Sequence, residues 1–364
     1  MKKILRMGII NKIMNLKSEF WNNKKVLITG HTGFKGAWLT SFLYTQNCDL
    51  FGISKSKKDG VYKLASVSKL MKKEYIFDIN ECDQKKIDNI FNSINPDIAF
   101  HFAAQSIVSE SYNNPFNTLN TNAMGTYKIL NASNKTQSLR TLIIATTDKV
   151  YKVPSKLNIE TDELGGTDYY SISKVMAEII IKSFIEIEKR KDLNISIARS
   201  GNVLGGGDRG SNRLLTDLVE SCIKNKAFTS RNPQSIRPWQ YILDSIYGYI
   251  LLAQYSEELK VSEIFNLNSK INNKYKSLQL AELFLDSWGN KNKILLENEK
   301  NFEEVEALKL NSNKAKAKLN WTASFDVREA IHETVKWEKH YINSNDSEYT
   351  LNHIKDYLLK LENE

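Results

Sequence analysis

The chain has 364 residues, of which 41% are hydrophobic and 26% are charged. These fractions are typical of a soluble globular protein, and the length suffices for one large hydrophobic core or two modest ones. No stretch approaches the roughly 18 consecutive apolar residues of a membrane-spanning helix. Basic residues interrupt the apolar N-terminus, which argues against a signal peptide. We therefore expect a cytoplasmic protein without a membrane partner.

The charge and the cysteines narrow the class of site. The formal net charge is +9, which suits an anionic substrate and equally suits nucleic acid or no specific ligand, because the lysines are dispersed. Cys48, Cys82 and Cys222 form no C-x-x-C pair and have no histidine at ligand spacing. This pattern argues against a disulfide framework and a zinc site and fits a reducing compartment. We expect no bound metal.

Short apolar segments alternate with helical patterns from Lys24 to about Ala198, which is typical of βαβ units around a parallel sheet. We predict an α/β fold with a doubly wound (Rossmann) sheet whose strands lie at residues 25–29, 49–53, 73–77, 98–102, 141–145 and 195–199. Apolar periodicity predicts later helices at residues 214–224, 243–255, 278–288 and 327–341. Ligands bind at the carboxyl ends of the strands in such a sheet, so the residues after each strand are the candidates for the site.

A glycine turn follows the first strand. Gly30, Gly33 and Gly36 lie between an apolar strand and a predicted helix. Gly30 makes the tight turn, Gly33 lets the backbone approach the phosphates, and Gly36 lets the helix pack on the strand. The spacing is G-x-x-G-x-x-G rather than the commoner G-x-G-x-x-G, and by itself it also fits an ordinary strand–helix turn. With the features below, it predicts a dinucleotide site.

The next two strand ends bear on the choice of cofactor. NAD sites usually carry an acid about 20 residues after the glycine turn, but this chain has Ser54, Lys55 and further lysines before Asp59. A lysine there suits the 2′-phosphate of NADP, so NAD and NADP both stay open. Asp78 follows the third strand, where it can bind the adenine amino group with Ile79 against the ring. Asp78 is also a candidate helix cap.

Tyr170 and Lys174 are four residues apart, so a helix presents them on one face. Lys174 can lower the pKa of the phenol and hold the ribose, and Tyr170 can then take a proton from a sugar hydroxyl while hydride leaves its carbon. Thr147 follows the fifth strand and is the hydroxyl that would steady that oxygen. Alone, the Tyr–Lys pair is also typical of a solvated helix face.

Together these motifs resemble the extended short-chain dehydrogenase/reductase superfamily, and within it the CDP-glucose 4,6-dehydratases. The resemblance covers roughly residues 20–340. The matching segments are residues 29–36 (T-G-H-T-G-F-K-G), 101–105, 122–126, 147–149, 170–174, 199–208 and 231–240. The last two segments are specific to this subfamily.

The resemblance implies a reaction. Such enzymes oxidise the sugar at C4 with bound NAD, eliminate water across C5 and C6, and return the hydride to C6. It assigns Tyr170 as the base at C4 and Lys174 as the residue that lowers the pKa of Tyr170 and binds the ribose. Thr147 is the hydroxyl group that holds the C4 oxygen. Asp148 is then the acid that protonates the C6 hydroxyl. Lys149 stands where many related dehydratases have a glutamate. Its role stays open, either as a neutral base at C5 or as a charged group that stabilises the enolate.

The resemblance also implies two groups of binding residues. The cofactor group comprises Gly30, Thr32, Gly33, Phe34, Gly36, Asp78, Ile79, Ala103, Ala104, Gln105 and Asn122, with Tyr170 and Lys174. The substrate group comprises Ser106, Asn202, Arg213 and Arg237, in which the planar arginine fork suits a diphosphate. A structural stacking role is the alternative for Arg237.

The predicted organisation has four parts. Residues 1–20 are an extension without assigned function, 21–204 plus 233–266 form the NAD(P)-binding Rossmann domain, 205–232 plus 267–341 form the smaller substrate-binding domain, and 342–364 are a peripheral helical tail. Trp288, Trp321 and Trp337 are expected to anchor the core. By analogy, the helices led by Asn122 and Tyr170 form a homodimer interface.

Alternatives remain for the function. Departures such as residues 209–212 (R-G-S-N) lie near the expected base and sugar pockets and leave the nucleotide-sugar substrate open. A 4-epimerase or reductase of the superfamily would keep Tyr170 and Lys174 without needing Asp148. A non-catalytic NAD(P)-binding protein is the alternative of another class, but such proteins usually lose the tyrosine or the lysine. We see no aromatic–basic stripe for nucleic acid and expect none as a partner.

Overall fold

The computed structural model describes residues 15–188, 190–268, 275–297, 307–344 and 346–363. Most of the predicted N-terminal extension lies outside these ranges. Within them no helix is long and apolar enough to cross a membrane.

The central sheet has seven parallel strands in the order β10-β6-β5-β4-β1-β2-β3. Two parallel pairs, β7 with β9 and β8 with β11, lie beside it. The strands are β1 Lys25–Thr29, β2 Asp49–Ser54, β3 Lys73–Ile76, β4 Ile98–His101, β5 Thr141–Thr147, β6 Asn194–Ser200, β7 Val203–Leu204, β8 Phe228–Ser230, β9 Gln240–Tyr241, β10 Ile264–Leu267 and β11 Ile294–Leu296. The predicted doubly wound parallel fold is confirmed.

Helices cover both faces of this sheet. They are α1 Ser18–Trp21, α2 Phe34–Thr45, α3 Val61–Leu64, α4 Gln84–Ile94, α5 Val108–Asn113, α6 Pro115–Leu119, α7 Gly125–Lys135, α8 Tyr169–Glu188, α9 Leu214–Lys224, α10 Ile242–Leu259, α11 Ser277–Trp288, α12 Asn313–Leu319, α13 Val327–Asn343 and α14 Tyr349–Glu362. A π-helical turn, Asn120–Met124, joins α6 to α7, and short 3₁₀ turns occupy Val67–Leu70 and Asp148–Val150.

The inner strands of the sheet carry mostly apolar side chains because both faces of the sheet are buried there, whereas the edge strand β3 is partly exposed. In β1, Val26 and Ile28 belong to the core shared with α2 and α10, whereas Leu27 belongs to the core shared with α4, α7 and α8. All three side chains are fully buried. This arrangement leaves the carboxyl edge of the sheet as the place where polar side chains gather.

The C-terminal elements pack onto the same core. Trp337 of α13 is fully buried, and its ring centroid lies 6.0 Å from that of Trp38 in α2. Trp321 is also buried, as predicted, whereas Trp288 is only half-buried. The predicted tail forms α14, which buries Ile354 against α2 rather than lying at the periphery. The division into a cofactor domain and a substrate domain stays a prediction.

Candidate active site

The glycine turn brings three backbone segments into close approach. Gly30 has φ +78°, and a Cβ there would lie 2.7 Å from the amide nitrogen of Ala103. A Cβ on Gly36 would lie 2.1 Å from the carbonyl oxygen of Gly30. Only glycine fits either position. Gly33 caps α2 without a side chain, so the N–H groups of the first helical turn remain available to an anion.

A cleft of about 1280 Å³ opens above this turn, at the carboxyl ends of the strands. Every predicted catalytic, cofactor and substrate residue lines it except Asn122. The structure therefore brings these residues together, while their individual roles remain predictions. Among the described residues, no three His, Cys, Asp or Glu side chains are grouped as a metal site would require.

Asn122 departs from its predicted place. It is buried outside the cleft, and its amide nitrogen donates to the Gln105 carbonyl at 2.9 Å and to Ser173 Oγ at 2.8 Å. Its amide oxygen accepts from the Gln105 N–H at 2.9 Å. Asn122 therefore ties the loop after β4 to the helix of Tyr170, because both ends of its side chain are already occupied.

Tyr170, Thr147 and Asp148 form the centre of the cleft. Thr147 Oγ1 donates to Asp148 Oδ1 at 2.9 Å. Burial raises the pKa of Tyr170 to about 12, although its hydrogen bond with Thr147 and the charge of Arg213 act to lower it. The expected lowering of this pKa is thus wrong for the protein alone, since desolvation of the phenolate outweighs its partners.

Lys174 lies in the first turns of α8, below the tyrosine. Its Nζ donates to the carbonyl oxygen of Ala145 at 3.2 Å. Burial lowers the pKa of Lys174 to about 8, against the opposing charge of Glu178 one turn further along α8. The amine is thus fixed at the end of β5.

Asp148 is a carboxylate with unused hydrogen-bonding capacity. It is buried, and Lys149 Nζ lies 3.6 Å from its Oδ1. Its Oδ2 is also buried and has no hydrogen-bond partner among the residues that the structure describes. An unpartnered buried oxygen is costly unless a ligand or water completes it. Because Asp148 lines the cleft, a bound ligand can supply that partner.

The end of the cleft near β2 is polar. Thr32 N–H donates to Ser54 Oγ at 3.2 Å, and Thr32 Oγ1 donates to the carbonyl of Ser56 at 2.8 Å. Lys55 Nζ lies 2.8 Å from Asp78 Oδ2. Burial acts to raise the pKa of Asp78, but the hydrogen bonds from Lys55 and from the Asn80 N–H outweigh burial. The pKa of Asp78 is therefore lowered.

The opposite end of the cleft is rich in arginine. Arg213 Nη1 lies 2.9 Å from Asp208 Oδ2, and its Nη2 donates to Ser106 Oγ at 2.8 Å. Two predicted substrate residues are thus in direct contact. Arg237 is buried, and Asn202 is half-buried. Both line the cleft.

Two features were missed by the sequence reasoning. Lys35, within the glycine motif, sends its side chain into the cleft. A lysine in the first turn of a helix is unfavourable because the helix N-terminus carries partial positive charge. This unusual position was the sequence signal that could have pointed to Lys35. The second feature is a buried ion pair beneath the tyrosine, Arg199 with Glu178, which no local spacing reveals because β6 and α8 meet only in the fold.

The ion pair connects β5, β6 and α8. Arg199 Nε lies 3.0 Å from Glu178 Oε1, which also accepts from Thr146 Oγ1 at 2.6 Å. Arg199 Nη1 donates to Tyr151 Oη at 2.8 Å. Both charged side chains are about 2% exposed. The pair therefore holds the helix of Tyr170 and Lys174 against the strand ends.

We predict that Glu178→Gln lowers the free energy of unfolding by about 3 to 5 kcal/mol, because Arg199 is left buried without its counter-charge. Chemical denaturation measures the loss. Glu220→Gln is the matched control, since Glu220 pairs with Lys224 on the surface of α9 and exposed pairs contribute little. Equal stability of the two variants would contradict the structural role of the buried pair.

Comparison with known proteins places the chain in a family. A family model described as GDP-mannose 4,6 dehydratase matches residues 27–334. The CDP-glucose 4,6-dehydratase of Salmonella typhimurium is 32% identical over 343 residues, covering 91% of this chain and 95% of that protein. The UDP-glucose 4-epimerase of Mycoplasma genitalium is 28% identical over 268 residues, covering 68% of this chain and 77% of that protein.

Solved structures agree on the fold. The UDP-glucose 4-epimerase of Thermotoga maritima with UDP-glucose has a TM-score of 0.74 at 20% identity, covering 86% of this chain and 98% of that one. The UDP-glucose 4-epimerase of Bifidobacterium longum in complex with NAD+ and UDP has a TM-score of 0.76 at 20% identity, with the same coverage. The predicted resemblance to the extended short-chain dehydrogenases and to an enzyme of the nucleotide-sugar 4,6-dehydratase type is confirmed. The chain belongs to the GDP-mannose 4,6-dehydratase family, among the nucleotide-sugar dehydratases and epimerases.

Proposed function

We propose that this protein converts CDP-glucose to CDP-4-keto-6-deoxyglucose, with NAD as a cofactor regenerated in each turnover. The observation that carries the proposal is Asp148. This buried carboxylate lies in the cleft with one oxygen that no described residue contacts by a hydrogen bond, and Thr147 links its other oxygen to the site of Tyr170. A 4-epimerase needs no acid there. The CDP-glucose enzyme of Salmonella typhimurium supports the choice of substrate.

The glycine turn fits a dinucleotide, because no side chain can stand at Gly30 or Gly36 and the first turn of α2 offers free N–H groups. We assign Asp78 and Ile79 to the adenine, Ala103 and Ala104 to the body of the cofactor, and Lys174 to the ribose next to the nicotinamide, and all five line the cleft. When bound, NAD would supply the acceptor for the hydride from the sugar C4 and the donor of that hydride to C6. Lys55 is already paired with Asp78, which favours NAD over NADP.

Tyr170 takes the proton of the C4 hydroxyl. Its phenol must be ionised for this, so the positive charges of the cleft act in the required direction, as that of Arg213 already does. Thr147 holds the hydroxyl oxygen in line by donating or accepting a hydrogen bond. The resulting C4 ketone acidifies the hydrogen at C5, which makes elimination feasible.

Elimination needs a proton donor at C6 and an acceptor at C5. Asp148 in its acid form donates to the departing C6 hydroxyl, which leaves as water. We assign the C5 proton to the neutral amine of Lys149, whose Nζ lies 3.6 Å from the acid. The C5 proton returns from the Lys149 ammonium when hydride reaches C6, so Lys149 regains its starting form. The proton that Tyr170 accepted from the C4 hydroxyl replaces the one that Asp148 gave to the departing water, so Tyr170 and Asp148 also regain their starting forms.

The substrate diphosphate is assigned to Arg213, Arg237 and Asn202, with Ser106 as a further hydrogen-bonding group. Arg213 is supported most strongly, because its guanidinium lies between Ser106 and Asp208 at the mouth of the catalytic centre. A homodimer and a cytoplasmic location complete the proposal. Partly exposed apolar side chains on α8, including Ile172, Met176 and Ile179, support the dimer.

We predict that the purified protein with NAD converts CDP-glucose to a product lighter by one water, detected by mass spectrometry. Substrate deuterated at C4 should retain its deuterium at C6, because the same cofactor takes and returns the hydride. Other nucleotide-glucoses serve as controls. Turnover only with another nucleotide would overturn the substrate assignment, and no turnover with any of them would overturn the dehydratase.

We predict that Lys149→Met and Lys149→Arg both lose at least 100-fold in dehydration rate, the usual scale for loss of an acid–base group. Both should still oxidise C4, seen as cofactor absorbance at about 340 nm. Arginine keeps the charge but does not accept a proton at neutral pH. A Lys149→Arg variant close to wild type would instead show that the charge alone matters.

A further inference from the structure

A buried carboxylate on α13 binds the loop that carries Arg213. This loop comprises residues 205–213 and joins β7 to α9. The side chain of Glu338 on α13 is 1% exposed. It accepts from the Gly207 N–H at 2.7 Å and from the two Nη atoms of Arg209 at 2.8 and 2.6 Å. These three donors all belong to the 205–213 loop, so the negative charge of Glu338 is neutralised by the loop itself.

Packing fixes the first part of the same loop. A Cβ on Gly206 would lie 2.3 Å from Cδ2 of Trp337 on α13, so the loop backbone lies directly against the indole. Trp38 Nε1 of α2 donates to the Gly206 carbonyl oxygen at 3.0 Å. The N–H of Val61, at the start of α3, donates to the Gly207 carbonyl oxygen at 3.2 Å. The loop is therefore held by α2, α3 and α13 before it reaches the cleft.

Asp208 connects this held part of the loop to Arg213. Asp208 is buried, and its carbonyl oxygen accepts from Arg209 Nη1 at 3.0 Å. Its carboxylate accepts from the Gly210 N–H at 3.1 Å and from Arg213 Nη1 at 2.9 and 3.0 Å. The other Nη atom of Arg213 donates to Ser106 Oγ. A movement of Arg209 away from α13 would therefore displace Asp208 and, with it, the guanidinium of Arg213.

We propose that Glu338 is a positioning residue for substrate binding, which holds the 205–213 loop so that Arg213 is oriented toward the substrate diphosphate. The inference rests on the proposed function, which assigns the diphosphate to Arg213. Among the described residues, both Arg209 and Arg213 line the cleft and Glu338 does not. Glu338 therefore acts through the loop and not by contact with the substrate.

The direction of one effect separates this role from two simpler ones. Glu338→Gln removes a negative charge near an anion site, so electrostatics alone would tighten anion binding. The substitution would also release Arg209, so direct contact of Arg209 with the diphosphate would tighten binding as well. Positioning by Glu338 requires weaker binding, because a neutral amide offers one acceptor oxygen and cannot pair with both Nη atoms of Arg209.

The experiment measures the dissociation constant of CDP by calorimetry in the presence of NAD, because CDP carries the diphosphate and has no sugar to react. The probe becomes UDP, dTDP or GDP if the wild type binds one of these more tightly. Arg213→Met should weaken binding roughly 10- to 100-fold, the usual scale of a charge-assisted hydrogen bond, and Glu338→Gln at least about fivefold.

Two controls accompany this measurement. Glu333→Gln makes the same chemical change on α13, where the Glu333 carboxylate lies 3.8 Å from Lys336 Nζ, and should bind the diphosphate as the wild type does. The dissociation constant for NAD should change less than about twofold in Glu338→Gln, since the effect is on the substrate arginine. General damage to the fold would instead weaken both ligands.

A double-mutant cycle shows whether Glu338 acts through Arg213. In the Arg213→Met background, Glu338→Gln should cause no further loss, because the residue that it positions is gone. Arg209→Lys keeps the charge without the planar fork. It should weaken binding at least about threefold in the wild-type background and not in the Arg213→Met background, so it provides the same test if Glu338→Gln does not fold.

Three outcomes would overturn the inference and leave the proposed function standing. They are wild-type or tighter diphosphate binding by folded Glu338→Gln, wild-type binding by Arg209→Lys, and losses that multiply when either substitution is combined with Arg213→Met. A wild type that binds none of the four nucleoside diphosphates would overturn the proposed nucleotide-sugar substrate together with the inference.

Discussion

The parallel arrangement of the central sheet is the constraint on which the rest of the structure depends. Seven parallel strands need helices on both faces, and those helices bury the inner strands. Polar chemistry is then confined to the carboxyl edge. Gly30, Thr147 and Ser200 come from or directly follow β1, β5 and β6 and reach the same cleft for this reason. The direction of the strands, rather than any single side chain, therefore sets the position of the cleft.

The balance of charge at this edge suits the proposed chemistry. Asp148 shares this edge with the guanidinium of Arg213 and the amines of Lys35, Lys149 and Lys174, and Lys149 Nζ lies 3.6 Å from its Oδ1. Such a cleft attracts an anionic nucleotide-sugar and favours negative charge on the enolate. The buried Arg199–Glu178 ion pair and the hydrogen bonds of Asn122 hold α8 and the loop after β4 in place. The catalytic groups are thus held by polar contacts between distant parts of the chain.

Much of the fold could be predicted from the sequence, because buried strands and amphipathic helices leave periodic patterns. The six predicted strands are present with small shifts at their ends, for instance β5 running on to Thr147. The pairs β7–β9 and β8–β11 were not predicted, since strands of two or three residues leave no pattern. Most candidates that line the cleft follow a strand or lie at the start of a helix, which accounts for their common position, while their roles stay predictions.

The misses have a common physical cause. The side-chain amide of Asn122 contacts Gln105 and Ser173 rather than the cleft, because sequence spacing does not fix the direction of a side chain. The pKa of Tyr170 depends on burial in the folded protein, which a motif does not measure. Lys35 was counted as part of a glycine motif, so its charge was not weighed. In each case the deciding contact joins residues far apart in the chain.

The most direct test of the central claim is Asp148→Asn with CDP-glucose and NAD. Asparagine keeps the shape of the side chain but cannot donate the proton that the leaving hydroxyl needs. We predict absorbance near 340 nm from C4 oxidation, without loss of water in the mass spectrum, whereas Tyr170→Phe should show neither. Dehydration by Asp148→Asn at a rate close to wild type would contradict the role of Asp148 as the proton donor.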